Sequence, residues 1–366
     1  MSRLFEPLPF VRGPAMKNRF MLAPLTNLQS HEDGRLSDEE FRWLTLRAEG
    51  GFGLTMTCAA HVQAQGQGFP GQLGIFSDAH IPGLTRLASA IRAQGSVAIA
   101  QLHHAGIRSP KDLIGATPVG PSDDKDTGAR GLTGTEVEQL TEDFILAALR
   151  AEKAGFDGVE LHGAHSYILC EFLSTENNRR DDRWGGSLEN RARVLRDIIA
   201  GVRKRCRPDF TLGVRLSPER FGLKLAEIRD LAGELMQSGD LDFLDMSLWD
   251  VFKEPLEEDM QGKPLMAYFT ELNRGTTKLG VAGKITTGDA AAKVLDDGAD
   301  FAIVGRAAIL HHDFPRRVAN DPHFKPVPLP VTRAYLAAEG LSPKFVTYMQ
   351  NWKGFVAEEP ALAADG

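Results

Sequence analysis

Cysteine is scarce in this chain. Its three thiols, Cys58, Cys170 and Cys206, are odd in number, far apart in 366 residues and free of any C-x-x-C pair. That argues against a disulfide framework and a cysteine-rich zinc site, and it fits a reducing compartment. An excess of positive charge is missing too: the net charge is −7 and the pI is near 5.8. The balance offers no basic field to nucleic acid or to an anionic membrane, so neither is expected as a partner. No apolar run reaches the length of a membrane span, and Met1-Ser2-Arg3-Leu4-Phe5-Glu6-Pro7 has no hydrophobic signal core. A cytoplasmic location is therefore the expectation. Low-complexity linkers and internal repeats are absent, and no G-x-G-x-x-G follows an early strand, which argues against an open dinucleotide-binding sheet.

What is present is an ordinary globular balance, 42% hydrophobic and 25% charged residues, on a chain long enough to bury a large core. Short apolar runs predict strands at Arg19–Leu25, Gly53–Ala59, Ser96–His103, Gly158–His162, Thr211–Ser217, Phe243–Ser247, Gly280–Ile285 and Phe301–Val304. Longer segments of mixed period predict helices near Asp38–Glu49, His80–Gln94, Glu136–Ala154, Leu188–Arg205, Ala226–Gln237 and Asp289–Asp297. Ala154-Gly155 and Ser238-Gly239 read as helix ends. Strand and helix alternate eight times, the pattern of a parallel α/β sheet closed into a (β/α)8 TIM barrel. Residues 1–320 are expected to form that barrel as one domain with loop insertions. The stretch 107–135 reads as a long loop after the third strand, on the catalytic face. Residues 321–366 begin Pro-rich (Pro322, Pro326, Pro328, Pro330) and then turn helical and aromatic. They read as an extension packed on the barrel or on a neighbouring subunit, which leaves a homo-oligomer open.

Barrels place their chemistry where strands end. Here those ends carry Pro24 and Thr26, Ala59, Gln101 with His103-His104, the run His162-Gly163-Ala164-His165-Ser166-Tyr167, and Arg215. Gln101 donates and accepts together, matching a uracil-like edge. Thr26 offers a hydroxyl to a ring oxygen, and Arg215 faces developing negative charge. Gly283-Lys284 and Gly305-Arg306, after the last two strands, offer backbone N–H groups and a guanidinium to a phosphate. His103 and His104 point opposite ways and read as structural. His162 and His165 suit a pair of donors to one oxygen, and Tyr167 suits a general acid. Two histidines so spaced also suit a metal, but Glu160, alternating with Leu161, is expected to point away from His162, and no third ligand offers itself. A core tyrosine beside two polar residues is the bland alternative.

Longer runs carry a resemblance. Met16-Lys17-Asn18-Arg19-Phe20-Met21-Leu22-Ala23-Pro24-Leu25-Thr26, Gln101-Leu102-His103-His104-Ala105-Gly106 and the stretch from Gly155 through Tyr167 to Asp182-Arg183-Trp184-Gly185-Gly186-Ser187-Leu188-Glu189-Asn190-Arg191 resemble the Old Yellow Enzyme family of NAD(P)H:flavin oxidoreductases, over about residues 3–318. The resemblance implies FMN as cofactor, held by Pro24, Thr26, Ala59, Gln101, Arg215, Gly283, Lys284, Gly305 and Arg306. It implies that His162 and His165 bind the activating oxygen of a small-molecule enone or related electrophilic alkene. The implied reaction is reduction of the C=C bond of an α,β-unsaturated carbonyl compound, with NADPH or NADH as electron source, hydride from flavin N5 and a proton from Tyr167. No metal is implied. Some bacterial relatives carry Cys where Thr26 stands, relatives vary at Lys284, and Asn often replaces His165. The chain is similar also to the barrel of bacterial 2,4-dienoyl-CoA reductases, whose iron–sulfur cysteines it lacks. A flavin-dependent oxidative demethylase or dehydrogenase on the same barrel is the alternative reaction.

Overall fold

The computed structural model describes residues 2–358; of the C-terminal extension expected over 321–366, residues 359–366 lie outside the described residues. Eight parallel strands close a barrel: β1 (Phe20–Leu22), β2 (Leu54–His61), β3 (Val97–His103), β4 (Gly158–Gly163), β5 (Thr211–Leu216), β6 (Phe243–Ser247), β7 (Lys278–Ala282) and β8 (Phe301–Val304). Each strand pairs with the next, and β8 closes on β1 through Phe20 opposite Ala302 and Met21 opposite Ile303. This is the (β/α)8 architecture expected from the alternation. The main helices outside it are α1 (Asp38–Glu49), α2 (Ile81–Ala93), α3 (Gly134–Lys153), α4 (Arg193–Arg205), α5 (Leu225–Gln237) and α6 (Gly288–Asp296). One helix predicted over Leu188–Arg205 is interrupted at Ala192, leaving a short turn Leu188–Arg191 ahead of α4. The buried Arg191 guanidinium sits at that break, donating to Glu227 at 2.9 Å, to the Gly186 carbonyl at 3.0 Å and to the Leu173 carbonyl. A four-residue helix, Ala267–Thr270, lies between β6 and β7, where none was predicted.

Local chemistry explains the element boundaries. Ser37 caps α1 by accepting from the Glu40 amide at 3.0 Å. Thr133 and Glu136 form a reciprocal capping box at α3, which buries Val137, Leu140, Phe144, Ala147, Ala148 and Ala151 against the barrel. The strand entrances share one device. An aspartate just before an even-numbered strand accepts from the second amide of the preceding strand: Asp157 from Ala98 at 2.9 Å, Asp242 from Leu212 at 2.8 Å, Asp300 from Leu279 at 2.9 Å. Each of these aspartates follows a positive-φ glycine by two or three residues (Gly155, Gly239, Gly298). The turn thus ends one helix and starts the next strand in register.

Along its axis the barrel interior changes from apolar to polar. An N-terminal turn, bridged between Leu8 and Met16, plugs the bottom with Leu8, Phe10 and Met16. Above lie Met21, Leu54, Met56, Val97, Ile99, Phe243, Phe301 and Ile303. Phe243 and Phe301 stack edge to face at 6.1 Å. Their rings fit because β5 and β7 carry Gly213 and Gly280 at those heights, where any Cβ would collide with the aromatic carbons. The upper interior is polar: Gln101, Glu160, Arg215 and Asp245, all buried. Beyond the barrel, the helix Pro343–Met349 lies against α1, with Phe345 and Trp43 rings 4.8 Å apart, and the Ser342 amide donates to Gln29 at 2.9 Å. Among the described residues no helix is long and apolar enough to cross a membrane.

Gly280→Ala should lower stability by about 1–3 kcal/mol through overpacking. Adding Phe301→Leu should recover part of that loss. A thermal-unfolding series in which the double variant is no more stable than Gly280→Ala would show that the Phe301 ring is not the obstacle.

Candidate active site

Strand alternation sends every second side chain into the barrel, so Gln101 and His103 on β3, Glu160 and His162 on β4, Arg215 and Ser217 around the end of β5, and Asp245 and Ser247 on β6 share the upper interior. The expectation that Glu160 turns away from His162 is corrected: residues two apart share a face, and Glu160 is buried beneath His162. Gln101 donates its amide to Glu160 at 2.7 Å. Arg215 Nε lies 3.1 Å from Asp245 Oδ2, but out of line for a hydrogen bond, so Nε and both aspartate oxygens lack one. Burial pushes the Asp245 carboxyl up to about 6, against the pull of Arg215. Burial first, and the neighbouring Asp245 second, hold the Glu160 carboxyl well above its ordinary range, which favours its protonated form. The floor of the site therefore sets the Arg215–Asp245 pair beside an acid biased toward neutrality.

The loop after β4 presents the next layer. His165 and Ser166 both adopt left-handed backbone, φ 62 and 57. Such conformations cost about 1–3 kcal/mol each in a non-glycine residue and persist where the surroundings impose them. The Ser217 hydroxyl accepts from the His165 amide at 3.1 Å, and the Ser247 hydroxyl meets His165 Nε2 at 2.7 Å and Arg215 at 3.4 Å. The turn swings His165 edge-on to His162, ring centroids 5.1 Å apart, with Tyr167 also 5.1 Å from His162. His162 makes no side-chain hydrogen bond to any described residue, and its Nδ1 is buried without a partner. Burial, followed by His165, keeps the His162 imidazole well below its usual range, and burial with Arg215 brings His165 down to about 3. Both rings are thus neutral donors at physiological pH.

The structure adds residues to this set. His103, read as structural from sequence, is corrected: its ring meets Tyr167 at 4.3 Å and His162 at 5.6 Å. Its Nδ1 faces the Gln72 amide at 3.0 Å, and its Nε2 is buried without a partner. Counting two residues on from Gln101 would have found it. His104 does turn outward, to Gln63 and the Gly106 amide. Arg108 lies 4.9 Å over the Tyr167 ring and donates to the His165 carbonyl at 2.8 Å. Tyr348, from the C-terminal helix Pro343–Met349, comes close to Thr26 and Tyr167; burial raises its phenol. Nothing in the sequence joins Tyr348 to Thr26, which lies more than 300 positions earlier.

The nine positions read for FMN gather at the strand ends. A register shift between Met56 and Ala59 sets Ala59 opposite Gln101. Pro24, Thr26, Ala59, Gly283 and Gly305 are half-exposed at the mouth, while Gln101 and Arg215 are buried. Gly283 has φ +149, and a Cβ there would strike the backbone of Trp249 and Asp250. The Lys284 amine is drawn to Asp250 at 2.9 Å, so this position offers its backbone rather than its charge. Gly305 precedes the short helix Arg306–Leu310 without a side-chain cap, and Arg306 is exposed. Unpartnered buried atoms on Arg215, Asp245 and Glu160 fit a ring whose edges both donate and accept. Among the described residues no group of three or more His, Cys, Asp or Glu is arranged to hold a metal ion.

Known proteins resemble this chain over most of its length. Residues 3–323 match the model of the NADH:flavin oxidoreductase / NADH oxidase family. A probable NADH-dependent flavin oxidoreductase of Bacillus subtilis is 38% identical over 318 residues, covering 84% of this chain and 85% of that one. The Old Yellow Enzyme homologue of Zymomonas mobilis superposes with a TM-score of 0.79 at 29% identity, over 94% of this chain and 98% of that one. Morphinone reductase in complex with tetrahydroNAD superposes with a TM-score of 0.75 at 28% identity, over 91% and 93%.

A raised carboxyl pKa means that the folded state holds a proton the unfolded state releases above about pH 4.3. The Glu160 contribution therefore makes stability fall as pH rises above that point. Glu160→Gln removes this dependence, so its melting temperature relative to the parent should rise from pH 5 to pH 8. A constant difference across that range would show that Glu160 is not held protonated.

Proposed function

The chain belongs to the NADH:flavin oxidoreductase / NADH oxidase family, the Old Yellow Enzyme family, and on that basis we propose that it reduces the activated C=C bond of an α,β-unsaturated carbonyl compound. It is an oxidoreductase that uses FMN and draws its electrons from NADH or NADPH. When bound, FMN supplies the redox step, accepting hydride from the nicotinamide and passing it to an electron-poor carbon. Pro24, Thr26, Ala59, Gln101 and Arg215 are read as its ring contacts, and the backbone of Gly283 and Lys284 with Gly305 and Arg306 as its phosphate contacts.

The observation that carries the proposal is His162: a buried, neutral imidazole without a partner, edge-on to a second neutral histidine and beside a tyrosine. Two neutral imidazoles side by side, 5.1 Å between ring centroids, suit donation to a carbonyl oxygen on which negative charge builds. Ser247 orients one of them, His165, and Ser217 holds its strained backbone. Tyr167, whose hydroxyl accepts or donates no hydrogen bond among the described residues, delivers the proton to the α carbon as charge develops on that oxygen. Net addition of hydride and proton saturates the double bond. Arg215 supplies fixed positive charge beneath the reacting layer.

Tyr167→Phe should slow reoxidation of the reduced holoenzyme by 2-cyclohexenone by about 10²-fold or more, with flavin reduction by NADPH little changed. Equal impairment of both half-reactions would remove Tyr167 as proton donor. His162→Ala should weaken the binding of phenols to the oxidised holoenzyme, read from the flavin absorbance; an unaltered affinity would argue against the oxygen-holding role.

A further inference from the structure

Arg108 stands apart from the other charged groups of the site. Arg215 has Asp245 beside it, whereas Arg108 has no carboxylate within 4.0 Å among the described residues. Its contacts are the Tyr167 ring, 4.9 Å from the guanidinium carbon, and the His165 carbonyl, which takes a single N–H of Nη1. The side chain is exposed, and its Nε and Nη2 donors are uncommitted. The position is built nonetheless. Its segment Gly106–Arg108 is pinned by the buried Glu171, which accepts from the Ile107 amide at 3.0 Å, and by His104, which accepts from the Gly106 amide at 3.0 Å. All the imidazoles around it, on His103, His162 and His165, are held neutral by burial, so Arg108 is a charge without a carboxylate partner directly beside Tyr167 and His165.

We propose that Arg108 anchors a carboxylate of the substrate, and that the preferred substrates are unsaturated carbonyl compounds bearing a carboxylate on the α side of the double bond. This rests on the ene-reductase reading above. With the carbonyl oxygen between His162 and His165 and the α carbon under Tyr167, the substituent on that carbon is the part of the substrate nearest Arg108. A guanidinium with two free donors on adjacent nitrogens matches a carboxylate in bidentate fashion. An ester or amide at the same place gains no charge pairing, and a substrate without the group leaves Arg108 in water. Because the arginine is exposed, the preference is moderate and sensitive to salt.

The test uses oxidised FMN holoenzyme and two phenols of the same shape, 2-hydroxyphenylacetate and 2-hydroxyphenylacetamide, whose ortho substituent stands where the α substituent of an enone would, titrated by flavin absorbance. The parent enzyme should bind the carboxylate about tenfold more tightly at low salt, with the ratio shrinking toward one at about 0.5 M salt. Arg108→Gln should bring the ratio near one, and Arg108→Lys should restore part of it. Should Arg108→Gln fail to hold FMN, the lysine variant and the salt series on the parent carry the same test. Equal affinities in the parent, or a preference that survives Arg108→Gln, would overturn the anchor. The titration needs no turnover. Failure to reduce 2-cyclohexenone therefore overturns the ene-reductase reading together with the substrate class, whereas a missing carboxylate preference overturns the role of Arg108 alone.

Discussion

A guanidinium buried under the mouth of a barrel needs an anion, and the next strand supplies it: Arg215 on β5 lies beside Asp245 on β6, 3.1 Å away. Removing one member of such a pair leaves an uncompensated buried charge, typically at a cost of about 3–5 kcal/mol. The rest of the site is arranged around that constraint. A second ionised carboxylate here would be poorly solvated and, with one anion already in place, repelled, so Glu160 is biased toward its protonated form and ties to Gln101. Burial first, and the same cation second, disfavour a charged imidazole above it, which holds His165 neutral and able to donate. Misalignment between Arg215 and Asp245 leaves polar atoms unspent, where a cofactor with donor and acceptor edges can use them.

Rigidity and strain are divided between strands and loops. Barrel strands, latched at their entrances by Asp157, Asp242 and Asp300, fix the heights of Gln101, His162, Arg215 and Ser247. The loop after β4 then adds two left-handed residues that no strand geometry would produce, and the two serines on β6 and beyond β5 hold the result. Tyr348 closes the arrangement from the C-terminal helix, over Thr26. Catalytic groups thus stand on a stiff frame, while the elements that border the substrate, Arg108 and Tyr348, come from connecting segments free to vary in length and sequence.

Much of this was legible in the chain itself. Local signals suffice for the strand and helix alternation: β-branched runs, capping residues such as Thr133 and Glu136, and the glycines that end helices act within a few residues of themselves. Asp38–Glu49 and Phe243–Ser247 were read to the residue for that reason. The run from His162 to Tyr167 stood out because three groups with matching chemistry fall within six positions after a strand. The misreadings have a common origin. Taken one residue at a time, Glu160 and His103 look unrelated to the site, whereas the period of two assigns them to the same face as His162 and Gln101. The helix break at Ala192 follows from Arg191 reaching Glu227 and Leu173, partners that lie outside any helical window.

By itself, then, the sequence determined the barrel, the order of its elements and the identities of the residues at the strand ends, since periodicity and capping are short-range properties. Only the closed barrel decided which of those residues meet. Register across β5 and β6 joins Arg215 to Asp245, and register across β3 and β4 joins Gln101 to Glu160. Burial then set the protonation of Glu160, His162 and His165, because desolvation belongs to the packed interior rather than to any stretch of chain. The C-terminal helix brought Tyr348 to Thr26, and the segment after β3 brought Arg108 to Tyr167. Those contacts depend on how loops fold back over the strand ends, a long-range choice that no local pattern encodes.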